Sequence, residues 1–197
     1  MSNAPIPRWL PNAISVVRVL LVPAWAWCAE LANRAAEGGG DAAAWRWRAA
    51  AVFATIGVSD VLDGWLARRF RLQSAFGAII DAVADKLAQV VLTTYLALRV
   101  GPAFPAIPLW FLGLLIARDG LLLCGYVWIR ARRGRVAVVH RWHGKFATVC
   151  LFAVLVAATF AAGDGVMRGL LIATAAIVVA STADYVRFGA RQLAGRA

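Results

Sequence analysis

The stretch Asp60-Val-Leu-Asp63-Gly64-Trp-Leu-Ala67-Arg68, continued by Gly77, Asp81, Asp85 and Lys86, decides how this chain is read. Ten of its 197 residues are acidic, and four of the ten fall between positions 60 and 85. Asp60 and Asp63 are three apart, so on a helix they share a face. Asp81 and Asp85 are four apart and share a face on the next helix. Between them, Arg69-Phe-Arg71-Leu-Gln-Ser-Ala is a polar hinge that lets the two helices turn back on each other. Two faces with two carboxylates each then converge on one spot. Like charges raise one another's pKa unless a cation sits among them. Hard oxygen ligands suit Mg²⁺, Mn²⁺ or Ca²⁺.

Around this stretch the chain is apolar: 62% of residues are hydrophobic and only 16% charged, so long apolar runs recur along it. That composition predicts an all-α, polytopic membrane protein. Six spans are expected in one bundle, over Ala13–Leu31, Trp45–Phe70, Phe76–Arg99, Leu109–Ile129, Phe146–Ala161 and Met167–Phe188. The length suits a single domain over 1–197, with a short interfacial segment at 1–11 carrying Trp9, a bundle at 12–189 and a tail at 190–197. Arg34 to Trp47 reads as a polar loop, Arg130 to Arg135 as a basic one, and Pro23 marks a kink in the first span. The first apolar run lacks a convincing small-residue cleavage site and reads as a retained helix.

The formal net charge is +11. With basic residues at helix ends, the expected partners are anionic lipid head groups, not nucleic acid. Thirteen Lys and Arg fall on the side holding the N-terminus, the loops after spans two and four, and the C-terminus; five fall on the other. The richer side is expected to be cytoplasmic, and the acidic stretch faces it. Cys28, Cys124 and Cys150 stand singly in apolar runs and read as small core residues. His140 and His143 are three apart, but no acid or cysteine near them completes a metal site.

The pattern Asp-x2-Asp-Gly-x2-Ala-Arg-x8-Gly-x3-Asp-x3-Asp is met at every position by Asp60, Asp63, Gly64, Ala67, Arg68, Gly77, Asp81 and Asp85. It resembles the signature of the CDP-alcohol phosphotransferase (CDP-alcohol phosphatidyltransferase) family. Pro11-Asn12-x-Ile-Ser15-x-x-Arg18 resembles the family's first-helix motif, in which Thr often stands at the Ser position. Arg18 shares a face with Ser15; an arginine snorkelling to the surface is the plainer reading. Gly144-Lys145-x-Ala147-Thr148 resembles a further element, often Gly-Lys-x-Lys-Thr, and Ala147 departs from it.

The resemblance implies a phospholipid-synthesising transferase. Its donor is CDP-diacylglycerol, CMP leaves, and a phosphodiester forms on an acceptor hydroxyl. It implies a pair of Mg²⁺ or Mn²⁺ ions on Asp60, Asp63 and Asp81, with Asp85 as the base that also touches metal. Around the CDP it implies Asp60, Gly64, Ala67, Arg68 and Gly77, joined by Asn12 and Ser15. Lys86, Arg118 and Lys145 are acceptor-binding candidates; Arg118 next to Asp119 reads either as a structural ion pair or as a phosphate clamp. The expected acceptor is of the glycerol type, glycerol 3-phosphate or phosphatidylglycerol. Inositol phosphate, serine or choline are alternatives. A cation transporter with an intramembrane carboxylate cluster is the alternative from another class. A homodimer at the inner (plasma) membrane, its site facing the cytoplasm, completes the expectation.

Overall fold

Among the described residues six helices follow one another: α1 (Leu10–Glu37), α2 (Ala43–Arg69), α3 (Ala75–Leu98), α4 (Leu109–Arg133), α5 (Trp142–Thr159) and α6 (Asp164–Leu193). The computed structural model describes residues 10–70, 75–133 and 142–193. The expected interfacial segment before Leu10, His140 and the last residues of the tail lie outside these, as do the side chains of Asn12, Ala67, Arg68 and Lys145. No strand occurs among the described residues.

The helices are longer than their apolar cores suggest. α1 does not stop at Leu31: Glu30 accepts from the Arg34 guanidinium one turn on, at 2.8 Å, which supports the last turns. The helix ends where glycine permits it. Gly39 has φ 72°, and the amides of Gly38 and Gly40 bond back to the carbonyls of Arg34 and Ala35. Asp41 then accepts from the Ala43 amide at 2.7 Å and opens α2. The polar loop expected over Arg34–Trp47 is therefore only residues 38–42. Likewise α4 runs through Arg130 to Arg133, because a basic run does not by itself end a helix; Arg130 bonds the Tyr126 hydroxyl a turn back. α5 starts earlier than expected, at Trp142, and stops at Thr159, with Ala161 at φ 50° in the turn that follows. α6 carries through to Leu193, so the first half of the segment read as a tail, residues 190–193, is helix. α1 continues through Pro23 without a break in assignment.

Among the described residues four helices hold segments long and apolar enough to cross a membrane: Ala13–Glu37, Ala43–Leu66, Leu109–Arg132 and Asp164–Ala190. The apolar part of α5, Phe146–Thr159, is shorter. α3 has the length, but every 18-residue window of it contains Asp81, Asp85 and Lys86.

The chain packs as two units, Met1–Ala106 with Thr159–Ala161, and Ile107–Ala158 with Ala162–Ala197. In the first, α1 is the hub. Ser15, Arg18, Val22, Trp25, Ala29 and Ala32 recur at three- and four-residue steps, and none is more than 3% exposed. That stripe packs on α2 through Ala49, Phe53 and Ile56, and on α3 through Ala84, Ala88, Leu92 and Leu96. The backbones of α2 and α3 come close to each other at few points among the described residues. At the loop end a polar network ties α1 to α3. Asn33 donates to the Tyr95 hydroxyl and accepts from the Ala103 amide, both at 3.1 Å. Arg99 reaches Glu30 at 3.0 Å and Glu37 at 2.9 Å. In the second unit α4 packs along α6, close enough that a Cβ on Gly189 would stand 3.2 Å from Ile129 Cδ1.

Candidate metal and substrate site

The apolar stripes of α2 and α3 turn acidic where they run out. On α2 the buried series Ala49, Phe53, Ile56 continues into Asp60 and Asp63. On α3 Asp81 and Asp85 precede Ala84 and Ala88 on the same side. The helical spacing that packs these helices on α1 thus also aims four carboxylates at one place.

The four form a cup with a buried floor. The Asp63 side chain is 4% exposed, those of Asp60, Asp81 and Asp85 45%, 41% and 52%. Asp63 Oδ2 accepts from the Ser15 hydroxyl at 3.1 Å and from Arg18 at 2.5 Å. Asp63 Oδ1 is buried with no hydrogen-bond partner. Ligand oxygens of Asp60, Asp63 and Asp81 all lie within 4.8 Å of one another. Two oxygens on one Mg²⁺ are at most ~4.2 Å apart, twice a bond of about 2.1 Å, and Ca²⁺ allows slightly more. Three donors cannot all stand opposite one another, and adjacent oxygens on an octahedral ion are about 3 Å apart, so the carboxylates close in by up to about 1.8 Å to share an ion. The all-oxygen donor set and the orphaned Oδ1 of Asp63 both fit a hard divalent cation.

A residue whose role the sequence left open sits among the acids. Arg18, 1% exposed, reaches all four: Nη1 lies 3.0 Å from Asp60, 3.1 Å from Asp81 and 2.5 Å from Asp85, and Nη2 lies 2.5 Å from Asp63. It does not snorkel. The signal available in sequence was its place on one face with Ser15, on a helix otherwise apolar there.

Gly64 follows Asp63, and Gly77 opens the face that bears Asp81; both are half-buried. Lys86 follows Asp85 and is half-buried as well. Arg118 belongs to the second unit. Its side chain is 16% exposed, its contact with Asp119 is a long 3.4 Å, and its Nε is buried without a partner. Neighbours in a helix diverge by about 100°, which accounts for the poor pairing.

The chain matches the family profile described as CDP-alcohol phosphatidyltransferase over residues 8–183. It is 37% identical over 139 residues to "Cardiolipin synthase (CMP-forming)" of Streptomyces coelicolor, covering 71% of this chain and 59% of that protein. A "Putative cardiolipin synthase" of Mycobacterium tuberculosis is 32% identical over 139 residues, 71% of this chain and 58% of that one. To "CDP-diacylglycerol--glycerol-3-phosphate 3-phosphatidyltransferase" of Pseudomonas fluorescens it is 37% identical over 100 residues, 50% of this chain and 46% of that protein. The matches thus span about half to three fifths of these relatives' own length.

Proposed function

This chain belongs to the CDP-alcohol phosphatidyltransferase family, and on that premise we propose that it transfers the phosphatidyl group of CDP-diacylglycerol to a glycerol-type acceptor and releases CMP. The observation that carries the reading is the carboxylate cup, with oxygens of three acids within 4.8 Å of one another and a fourth acid, exposed, beside them. Asp60, Asp63 and Asp81 would hold divalent metal, with Asp85 at the edge of the coordination. Bound there, a pair of Mg²⁺ or Mn²⁺ ions would neutralise the pyrophosphate and polarise the bond to the leaving CMP.

The remaining steps fall to side chains. Asp85 accepts the proton of the acceptor hydroxyl as its oxygen forms the new bond to the phosphatidyl phosphorus. The bond from that phosphorus to CMP breaks, and the electron pair leaves with CMP. Gly64, Ala67 and Gly77 keep the helix surfaces low for close approach of the nucleotide. Arg68 binds its phosphate, with Asn12 and Ser15 at the edge of the CDP site. Lys86, Arg118 and Lys145 recognise the acceptor. The poorly paired guanidinium of Arg118 supports a phosphate-bearing acceptor, glycerol 3-phosphate or phosphatidylglycerol. In this reading all six helices span the membrane as one domain, the cup opens on the cytoplasmic side, and the enzyme is a homodimer.

Incubation with CDP-diacylglycerol, Mg²⁺ and a panel of acceptors, followed by product mass spectrometry, tests the reading. The expected result is CMP release with a phosphatidyl product on one glycerol-type acceptor. CMP release confined to inositol phosphate, serine or choline overturns the acceptor, and no CMP with any of them overturns the reaction.

A further inference from the structure

Arg18 carries more of this site than any acid in it. The hub helix packs on both neighbours, while the backbones of α2 and α3 leave a gap between them among the described residues, bridged by a side-chain hydrogen bond between Asp60 and Asp85. Across that gap the Arg18 guanidinium joins them, with Asp60 and Asp63 on one side and Asp81 and Asp85 on the other. The arrangement is poorly matched to a permanent ion pair. Nη1 has two hydrogens and faces three carboxylates, while Nε points at nothing and is buried. One positive charge among four negative ones leaves a formal charge of −3. The oxygens that face the guanidinium belong to the same carboxylates a divalent ion would need.

We propose that Arg18 is the built-in countercation of this cup: it bridges α2 and α3 while the carboxylates carry no metal, and it gives up those contacts when a divalent ion enters. The inference rests on the metal-dependent reading above. Arg18 is a positioning residue here, acting on the carboxylates and not on substrate. It keeps the four acids gathered before loading and competes with the ion for them. Removing it has two opposite effects, which a merely structural arginine would not give. The metal-free protein loses stability, because four carboxylates face one another with nothing between. Metal binds more tightly, because no resident cation has to be displaced.

The test uses the full chain in detergent or nanodiscs, with the variants Arg18→Met and Arg18→Lys and two readouts free of turnover. One is thermal unfolding in chelator and in saturating Mn²⁺. The other is direct Mn²⁺ binding, followed by the electron paramagnetic resonance signal of the free ion. Arg18→Met is expected to unfold at a lower temperature than the parent in chelator, and to recover most of the difference in Mn²⁺. Its Mn²⁺ affinity is expected to rise about tenfold, the order of repulsion between a divalent and a monovalent cation held about 5 Å apart in a water-like dielectric. Arg18→Lys should lie between, since an ammonium makes fewer of the four contacts. If Arg18→Met cannot be purified folded, Arg18→Lys decides alone: tighter Mn²⁺ binding than the parent supports the proposal, and equal or weaker binding overturns it. Weaker Mn²⁺ binding in Arg18→Met, with equal destabilisation in both conditions, also overturns it. Absence of Mn²⁺ binding in parent and variants alike defeats the metal reading itself, and the displacement falls with it.

Discussion

Replacing Asp63 and Asp85 separately by Asn separates holding the metal from moving the proton. Asp63 lies on the floor of the cup, 4% exposed, with one oxygen held by Ser15 and Arg18 and the other unpartnered. Asn preserves the shape and one acceptor but removes the charge. A hydrogen bond to a charged group contributes about 1.5–3 kcal/mol. Leaving a buried charge wholly unpaired costs about 3–5 kcal/mol, but Arg18 keeps Asp60, Asp81 and Asp85. The metal-free protein should therefore lose about 1.5–3 kcal/mol, within the first of those ranges. The effect on ligand is larger. Altering a residue that only supports a metal ligand weakens binding about 10–100-fold, so loss of a ligand should exceed that, and Mn²⁺-dependent CMP binding should fall by more than about 100-fold. Asp85 is 52% exposed and is one of three acids around Nη1. Asp85→Asn should keep CMP binding within about threefold of the parent and lower turnover about 10²–10⁴-fold, the range for a general base. Calorimetric CMP titration in Mn²⁺, beside single-turnover kinetics, reads both. Normal CMP binding by Asp63→Asn, with poor binding by Asp85→Asn, would refute the assignment and exchange the two roles.

Chelation is expected to abolish CMP release and Mg²⁺ or Mn²⁺ to restore it; full turnover in excess EDTA contradicts the cup as a metal site. Arg118→Ala should raise the acceptor KM about 10–100-fold, the loss of a charge-assisted hydrogen bond, and leave the KM for CDP-diacylglycerol nearly unchanged; Arg118→Lys should recover part. An unchanged acceptor KM with lowered thermal stability would return Arg118 to a structural role. At the loop end of the first unit, a Cβ on Gly101 would run into the Asn33 carboxamide, which holds the Ala103 amide and the Tyr95 hydroxyl. Gly101→Ala should cost about 1–3 kcal/mol of stability, the desolvation of groups left unpaired, with both KM values unchanged; parent-like unfolding would show that Asn33 moves aside freely.

The acidic spacing was legible because helix geometry maps sequence steps directly onto faces, and Asp60, Asp63, Asp81 and Asp85 do share one place. Helix ends were not. Arg34 to Glu37 look like loop by polarity, yet their charges are satisfied by Glu30 a turn back and by Arg99 some sixty residues on. The run Arg130 to Arg135 likewise read as loop by polarity, yet α4 continues through its first four residues to Arg133, the position before Gly134. Arg18 was half legible. Its face could be read from Ser15, but its partners lie 42 to 67 residues away in sequence, beyond any local pattern. The apolar content of α1, α2, α4 and α6 foretold helices able to cross a membrane. α3 remained ambiguous because its charges serve the site at the expense of its apolarity.

The polar residues of α1 on its packed side are confined to its two ends, and between Arg18 and Glu30 that side offers Val22, Trp25 and Ala29, each no more than 1% exposed. Twelve residues of helix are ~18 Å long. Facing them are Ala88, Leu92 and Leu96 of α3, interrupted by the Thr93 hydroxyl alone among the buried polar residues described there. Hydrated ions do not enter such packing, since each would have to shed its water with nothing to replace it. Along this seam the carboxylate cup has no polar continuation among the described buried groups other than the Thr93 hydroxyl and the Trp25 indole N–H. The middle of α1 acts as an electrical insulator.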